Sequence, residues 1–397
     1  MTQRVPSGAV WLLGATAVAG SLGYGMQLLA GFHLDAVDYG RFGTFWAAMF
    51  FVAGTLSGIQ QEVARAAGVG ARDGASPIRA GLVLGTGAAV VALGAAVAVP
   101  ALAVEILAIG IGGVGGVALA IASGLAYGAR AWSTVTAIMV LEAVLRLVLL
   151  ESALLLGAPF WAVALAIALP WAATAALLSP CVRAQASRVG LNVRARAFTY
   201  NLSRTVVAAA ATSAIVSGFP FFMRASAPDA EASAFGAFVF AFTLARAPLV
   251  VVFIALQSFL IKLFQQHRSA VTGRLTAMLV ALTAVTLLAA ALIAAVGPWV
   301  QRTFFGEDYV LAAATLFWIV ASAAPLAIMC VTGPLALALD RHGAFVTGWV
   351  VAAAVSLALL QLPLPLEVAS IVAISAGPAV GAVVHVVGIA RRPSSPA

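Results

Sequence analysis

The sequence has little charge and little capacity for covalent or metal chemistry. Asp, Glu, Lys and Arg together make up 9% of its 397 residues, whereas they make up about a quarter of a typical soluble domain. Its two cysteines, Cys181 and Cys330, are too few for a disulfide framework or a cysteine zinc site. It contains no Ser/His/Asp arrangement, metal-ligand spacing or phosphate-binding loop. We therefore predict that the protein is not an enzyme and uses no cofactor or metal.

Long apolar runs occupy most of the chain instead. Hydrophobic residues make up 63% of it, and a helix needs about 20 apolar residues to cross the hydrocarbon core of a bilayer. Such runs occur at 8–31, 42–61, 78–101, 104–127, 132–156, 158–180, 199–222, 233–261, 275–298, 310–336, 343–362 and 368–390. Because backbone groups in lipid must be bonded within their own segment, we predict an all-α polytopic membrane protein with about twelve transmembrane helices. The loops between them are too short for a soluble catalytic domain.

The net charge of +8 is distributed unevenly along this layout. If the N-terminus is cytoplasmic, 15 of the 21 basic residues fall in inner loops and termini, 3 in outer loops and 3 within the spans. This excess on one side matches the positive-inside rule and does not require a nucleic-acid partner. It predicts a multi-pass protein of the cytoplasmic membrane with both termini in the cytoplasm.

A basic segment divides the spans into six and six. Four arginines lie between residues 182 and 198, and an even division is typical of two-lobed transporters. We therefore predict an N-terminal six-helix lobe at 1–181, a cytoplasmic connector at 182–198, a C-terminal six-helix lobe at 199–390 and a cytoplasmic tail at 391–397. The halves show no residue-level repeat, so this division depends on the number of spans.

Besides Arg79, Glu105 and Glu151 near the ends of spans, four charged residues lie inside the predicted spans, where charge is expensive. An arginine at the centre of a membrane helix costs at least about 2.5–3.5 kcal/mol, so it is expected to face a partner or a wet cavity. Glu142 and Arg146 are four residues apart and share one face of a helix, which favours an ion pair. That pair has either a purely structural role or a role in binding.

Arg246 has no acidic neighbour within one turn of its own helix. It needs an anion, either a carboxylate on another helix or a phosphate of a ligand, which suits the fork geometry of a guanidinium. Arg204 lies about five residues into its span, where it can reach the interface, and it can share a polar face with Asn201. Gln27 and Gln257 are candidates either for lining a cavity or for core packing.

Three short segments carry a family resemblance: 34–42 (LDAVDYGRF), 58–65 (GIQQEVAR) and 304–309 (FFGEDY). With these segments and its span layout, the chain resembles the polysaccharide flippases (Wzx-like proteins) of the multidrug/oligosaccharidyl-lipid/polysaccharide (MOP) exporter superfamily. The resemblance implies a MOP/MATE-like fold with two six-helix lobes. The chain is shorter than many members of that family, and its middle is rich in alanine and glycine.

The resemblance also implies an activity. Such proteins move an undecaprenyl-pyrophosphate-linked oligosaccharide across the membrane by alternating access, and the sugar–pyrophosphate head passes through a cavity between the lobes. A diphosphate is bound by cationic side chains, and arginines outnumber carboxylates within the spans, as an anionic cargo requires. Our hypothesis is that Arg246 and Arg204 contact the head from the second lobe. Arg146 would contribute from the first lobe, where Glu142 holds it in place.

Three other functions compete with this hypothesis. A multidrug or cation exporter of the same superfamily commonly carries a carboxylate in its first or seventh span, and the spans 8–31 and 199–222 contain none. A membrane assembly partner without transport has little reason to retain Arg246. A membrane-bound glycosyltransferase or polymerase would need a larger loop with catalytic carboxylates. A polymerase or another assembly protein is instead an expected partner, beside the lipid-linked oligosaccharide and the bilayer.

Overall fold

The computed structural model describes residues 7–69, 77–99, 102–186, 189–191, 193–266 and 271–391, which form two compact units. The first unit comprises the described residues up to His33 together with Phe45–Ser213. The second comprises Leu34–Thr44 and the described residues from Ala214 onward. The predicted boundaries of the lobes at 181 and 199 stay a prediction. Residues 187, 188 and 192 of the predicted connector and 392–397 of the predicted tail lie outside the described residues.

Helices and a small sheet make up the first unit. Their order is α1 (Ser7–His33), α2 (Ala36–Ala66), β1 (Ala67–Val69), α3 (Pro77–Ala98), α4 (Ala103–Gly128), α5 (Trp132–Leu155), α6 (Phe160–Leu177), α7 (Ser179–Ala186), β2 (Val189–Leu191) and α8 (Ala195–Val216). The residues of α2 before Phe45 belong to the second unit.

The sheet was not expected from the sequence, which we interpreted as all-α. Strands β1 and β2 are antiparallel, with Ala67 opposite Leu191 and Val69 opposite Val189. Leu191 packs in one buried cluster with Val63 of α2 and Phe198 of α8. The sheet therefore fixes the end of α2 to the start of α8. It does not change the fold class, because every long element is a helix.

The second unit is helical throughout its described residues. After the first turns of α2 come α9 (Phe219–Ser226), α10 (Ala232–Ala241), a π-helical turn (Phe242–Arg246), α11 (Ala247–Gln266), α12 (Val271–Phe304), a 3-10 turn (Glu307–Tyr309), α13 (Ala313–Ala321), α14 (Ala323–Ala338), α15 (His342–Leu359) and α16 (Leu366–Ala390).

The number of candidate spans is lower than predicted. Within the described residues, eight segments are long and apolar enough to cross a membrane, and nine if the bent pair α8–α9 counts as one span. We expected about twelve. The fold class is unaffected by this lower number. Helices α1 and α5, with 27 and 24 residues, are also long enough to cross a bilayer. The chain is an all-helical polytopic membrane protein.

Two of the three segments that carry the family resemblance meet in the second unit. The ring of Phe240 lies 5.0 Å from the ring of Tyr39 and 4.5 Å from that of Tyr309, between centroids. The hydroxyl of Tyr309 donates a hydrogen bond to the carbonyl oxygen of Leu34 at 2.8 Å. Burial raises the pKa of Tyr309, and the nearby carboxylates of Asp35, Asp38 and Asp308 raise it further. The hydroxyl therefore stays protonated and remains a donor at neutral pH. The segments 34–42 and 304–309 therefore hold one end of α2 in place.

A close contact between two glycines completes this arrangement. A Cβ atom added to Gly40 would lie 3.1 Å from the Cα of Gly236, and one added to Gly236 would collide with the carbonyl oxygen of Ala36. Small residues let helix backbones approach each other in lipid. The glycine in LDAVDYGRF is thus explained by the approach of α2 to α10.

We expect Gly236→Ala to destabilise the protein by about 1–3 kcal/mol, because the added methyl group meets backbone atoms that cannot move independently. The melting temperature in detergent, followed by tryptophan fluorescence, measures this loss. Gly20→Ala is the matched control, since a Cβ at Gly20 meets nothing within 4 Å. If both variants melt like the wild type, the contact between α2 and α10 is looser than described.

Candidate binding site

Arg246 is the most deeply buried charge of the second unit. It is the last residue of the π-helical turn that joins α10 to α11, and this stretch belongs to the candidate span Ala232–Ile254. Only 1% of its surface is exposed. Single π-helical turns within α-helices occur frequently at functional sites.

The local sequence accounts for the irregular turn. Pro248 has no N–H to donate, and its ring clashes with the carbonyl of the residue four positions earlier, Leu244, inside the turn. The hydroxyl of Thr243 donates to the carbonyl oxygen of Val239 at 2.7 Å, a bond of the kind that bends helices. These two residues displace the helix from regular geometry at Arg246.

Two nitrogens of the Arg246 guanidinium lack hydrogen-bond partners within the described residues. Among the described residues, its Nε and Nη2 atoms have no hydrogen-bond acceptor, and no ion pair includes it. Its Cζ lies 5.0 Å from the ring centroid of Phe242, a cation–π contact that compensates only part of the burial. The three N–H bonds of these two nitrogens thus remain for an anionic or carbonyl ligand.

A residue of another helix also interacts with this guanidinium. Cys330 of α14 is close enough to Arg246 for an electrostatic interaction. Gln257 of α11 donates from Nε2 to the sulfur of Cys330 at 3.4 Å. Gln257, predicted only as a possible cavity residue, is therefore a neighbour of the site around Arg246.

Arg146 occupies a different environment, in the first unit. It forms the predicted ion pair with Glu142 on α5, and its Nε donates to the carbonyl oxygen of Ile167 at 3.3 Å. Its Cζ faces three aromatic rings at 5.1–6.0 Å from their centroids, those of Phe50, Trp171 and Trp46. Unlike Arg246, this guanidinium is enclosed by partners.

Glu142 faces a small cavity of the first unit. The cavity has a volume of about 180 Å³, and polar side chains of α2 and α4 line it beside Glu142, namely Ser57, Gln60 and Ser123. The side chain of Glu142 is 16% exposed, against 4% for that of Arg146. The carboxylate therefore separates the buried guanidinium from the cavity.

The remaining predicted residues, Arg204, Asn201 and Gln27, all lie in the first unit. Arg204 lies on α8 in the first unit, is exposed, and has its Cζ 5.5 Å from the ring of Tyr200. The carbonyl of Asn201 accepts a bond from the hydroxyl of Thr205 at 2.7 Å. Gln27 of α1 is buried, and its Oε1 has no hydrogen-bond partner within the described part of the chain.

Arg204 lies in the first unit and Arg246 in the second, and their assignment to one site of the second lobe stays a prediction. The hypothesis from the sequence concerned charged and amide side chains. It did not identify Phe242 and Cys330 or the aromatic rings around Arg146. These residues are distant in sequence or hydrophobic, and they have no pattern that distinguishes them from core residues. Pro248 close after a buried arginine was the one local signal of an irregular helix.

Comparison with known proteins places the chain among mycobacterial sequences, although no family model matches it. It is 34% identical to "Uncharacterized protein Rv1510" of Mycobacterium tuberculosis over 421 residues, which cover 99% of this chain and 94% of that protein. It is 32% identical to "Uncharacterized protein Rv3630" of the same organism, over 98% of this chain and 93% of that protein.

Solved structures show the fold. A multidrug resistance MATE family transporter of the MOP superfamily, in an inward-facing conformation, matches 93% of each chain with a TM-score of 0.63 and 15% identity. The lipid II flippase MurJ matches 97% of this chain and 88% of its own with a TM-score of 0.62 and 10% identity. A MOP superfamily transporter from Pyrococcus furiosus matches 96% of this chain and 95% of its own with a TM-score of 0.59 and 17% identity. The chain thus belongs to the family of the mycobacterial proteins Rv1510 and Rv3630, and it has the fold of the MOP superfamily transporters.

Proposed function

We propose that this protein is a membrane transporter that flips a lipid-linked oligosaccharide across the cytoplasmic membrane, with Arg246 binding the pyrophosphate of the cargo. Transport proceeds by alternating access, and both termini lie in the cytoplasm. The product supplies cell-surface polysaccharide synthesis, in which a polymerase or another assembly protein is the partner. No step of this function requires bond chemistry from the protein.

The observation that supports this proposal is the unpaired guanidinium of Arg246. A buried charge without a counter-ion costs several kcal/mol, and among the described residues the ring of Phe242 repays only part of that cost. A pyrophosphate provides oxygen acceptors for the N–H groups of Nε and Nη2. Phe242 and the apolar helices around it give the site a low dielectric, which strengthens the interaction with a phosphate.

The named structural neighbours are consistent with an anionic cargo. MurJ is a lipid II flippase. The Pyrococcus furiosus transporter is described as having a binding pocket of reverse polarity, suggesting a different function. A buried cationic residue in the second unit agrees with an anionic cargo. The contributions of Arg146 and Arg204 to cargo binding stay predictions.

Multidrug export is the second candidate, because several similar structures are MATE transporters. Its supporting feature is Glu142, a carboxylate at a polar cavity. The ion pair with Arg146 neutralises that carboxylate, however, and a cationic drug would have to compete with a guanidinium that is already in place. An anionic head bound at Arg246 meets no such competition.

The test is a flipping assay with purified protein in proteoliposomes. The probe is a short-chain undecaprenyl-pyrophosphate oligosaccharide with a fluorescent head, and quenching by an impermeant reductant reports its leaflet. We expect flipping by the wild type and none by Arg246→Ala. Arg302→Ala is the matched control, because Arg302 is an exposed arginine of the same unit that pairs with Glu307 at 2.7 Å.

The outcomes separate the candidates. Flipping in the wild type and in Arg302→Ala, with loss in Arg246→Ala, supports the proposal. Flipping by Arg246→Ala at the wild-type rate would show that Arg246 does not bind the cargo. Export of a small cationic dye together with no movement of the lipid-linked sugar would assign the protein to multidrug export.

A further inference from the structure

One end of the first unit carries six exposed arginines on adjoining elements. The elements adjoin because β1 pairs with β2, while α7 packs against both α4 and β2. A single buried cluster also joins the ends of α2 and α4 to the start of α8. The arginines, which we call the arginine surface, are Arg65, Arg130, Arg183, Arg194, Arg196 and Arg204.

Helix α8 arranges part of this surface as a stripe. Arg196, Tyr200 and Arg204 follow one another at intervals of four residues and therefore share one helical face. Tyr200 is 60% exposed, and the guanidinium of Arg204 stacks on its ring. The opposite face, with Phe198 and Leu202, is buried in the core cluster. The exposed face is thus fixed in its orientation by packing behind it.

The exposed side chains of the stripe change from basic to apolar along the helix. Val207, which follows Arg204 by about one turn, is 54% exposed. Basic residues followed by tyrosine and then by exposed apolar residues are typical of a helix that passes from the headgroup region into the hydrocarbon of a bilayer.

Most of these charges have no acidic partner among the residues that the structure describes. Within the described residues, ion pairs include only one of the six, Arg65, whose Nη2 lies 2.6 Å from Glu62. Arg183 donates from Nη2 to the hydroxyl oxygen of Ser179 at 3.1 Å and from Nε to the carbonyl oxygen of Ser179 at 3.3 Å. The other four arginines repel one another, and this repulsion favours bound anions.

We propose that the arginine surface binds the phosphate headgroups of anionic phospholipids of the surrounding membrane. Guanidinium groups bind phosphate oxygens in pairs, and clusters of basic residues beside a membrane helix attract anionic lipid. The inference does not depend on the proposed function. It gives Arg204 a role other than cargo binding, because this residue is exposed and stacked on an interfacial tyrosine, whereas Arg246 is enclosed.

Native mass spectrometry of the full-length protein tests the proposal. The protein in detergent is titrated with dioleoyl phosphatidylglycerol, dioleoyl phosphatidylcholine or undecaprenyl pyrophosphate, and lipid-bound species are counted. We expect the wild type to retain phosphatidylglycerol over phosphatidylcholine. The triple variant Arg194→Gln/Arg196→Gln/Arg204→Gln should bind phosphatidylglycerol at least about tenfold more weakly.

The control has the same change in net charge at another place. The variant Arg302→Gln/Arg341→Gln/Arg391→Gln alters three arginines of the second unit and is expected to retain phosphatidylglycerol as the wild type does. An equal loss in both variants, or no loss in the first, overturns the proposal. Retention of undecaprenyl pyrophosphate alone also overturns it and makes the surface a cargo site. Unchanged melting temperatures show that both variants are folded.

Discussion

Replacing Arg246 with methionine is expected to raise the melting temperature by several degrees and at the same time to abolish transport. Methionine has nearly the volume of arginine, is flexible enough to fill the space, and carries no charge to desolvate. Exchanges of buried charged groups for hydrophobic residues of similar size are neutral or stabilising by about 1–4 kcal/mol. Arg246 has no described partner for Nε or Nη2, so the gain is not reduced by a lost ion pair.

The opposite changes in stability and in transport distinguish a binding residue from a structural one. A structural arginine would lose stability on replacement, whereas a residue retained for binding loses activity and gains stability. Thermal unfolding in detergent and the flipping assay are therefore run on the same preparation. Arg302→Met is the control, and it is expected to change neither property, because exposed ion pairs contribute about 0–1 kcal/mol. A lower melting temperature for Arg246→Met would show that Arg246 is a structural residue.

Replacing Glu142 with leucine is expected to destabilise the first unit by about 3–5 kcal/mol, because it leaves Arg146 charged and buried without its counter-ion. The three aromatic rings and the carbonyl of Ile167 repay only part of that cost. The double variant Glu142→Leu/Arg146→Met removes both charges and should recover most of the stability. The melting temperatures of Glu142→Leu, Arg146→Met and the double variant give the coupling free energy between the two residues.

A second ion pair provides a matched control for this cycle. Glu62 is as buried as Arg146, but its partner Arg65 has a side chain that is 53% exposed. Water can therefore hydrate Arg65 after Glu62→Leu, and we expect a clearly smaller loss than for Glu142→Leu. Transport by the Glu142→Leu/Arg146→Met variant then decides the role of the pair. Normal flipping makes the pair structural, whereas lost flipping in a stable protein makes it part of the transport mechanism.

The features that follow from composition and local spacing were predictable from the sequence. The all-helical membrane fold follows from the cost of unsatisfied backbone groups in lipid, and the MOP fold is confirmed by the solved structures. The ion pair between Glu142 and Arg146 is confirmed, because a spacing of four residues fixes a shared helical face. The burial of Arg246 was likewise expected from its position in an apolar run.

The features that depend on tertiary packing were not predictable. The aromatic enclosure of Arg146 and the pairing of β1 with β2 each join segments that are separated in sequence. The exposure of Arg204 depends on which face of α8 packs against the buried cluster, and the hydropathy of its span does not determine that face. Every predicted apolar run overlaps a helix or successive helices, whereas eight or nine segments of the described residues are long and apolar enough to count as candidate spans.

The contact of Gly40 with Gly236 has a consequence for synthesis of the chain. Gly236 follows Gly40 by nearly two hundred residues, so a ribosome adding about 5–20 residues per second completes the partner roughly 10–40 s later. Until then the start of α2 has no place to dock, and the carbonyl of Leu34 lacks the donor that Tyr309 will supply. A gene divided at the basic connector would therefore give a C-terminal fragment that lacks a piece of its own core. Co-expression of the fragments, or a peptide of residues 34–44, is needed to complete it.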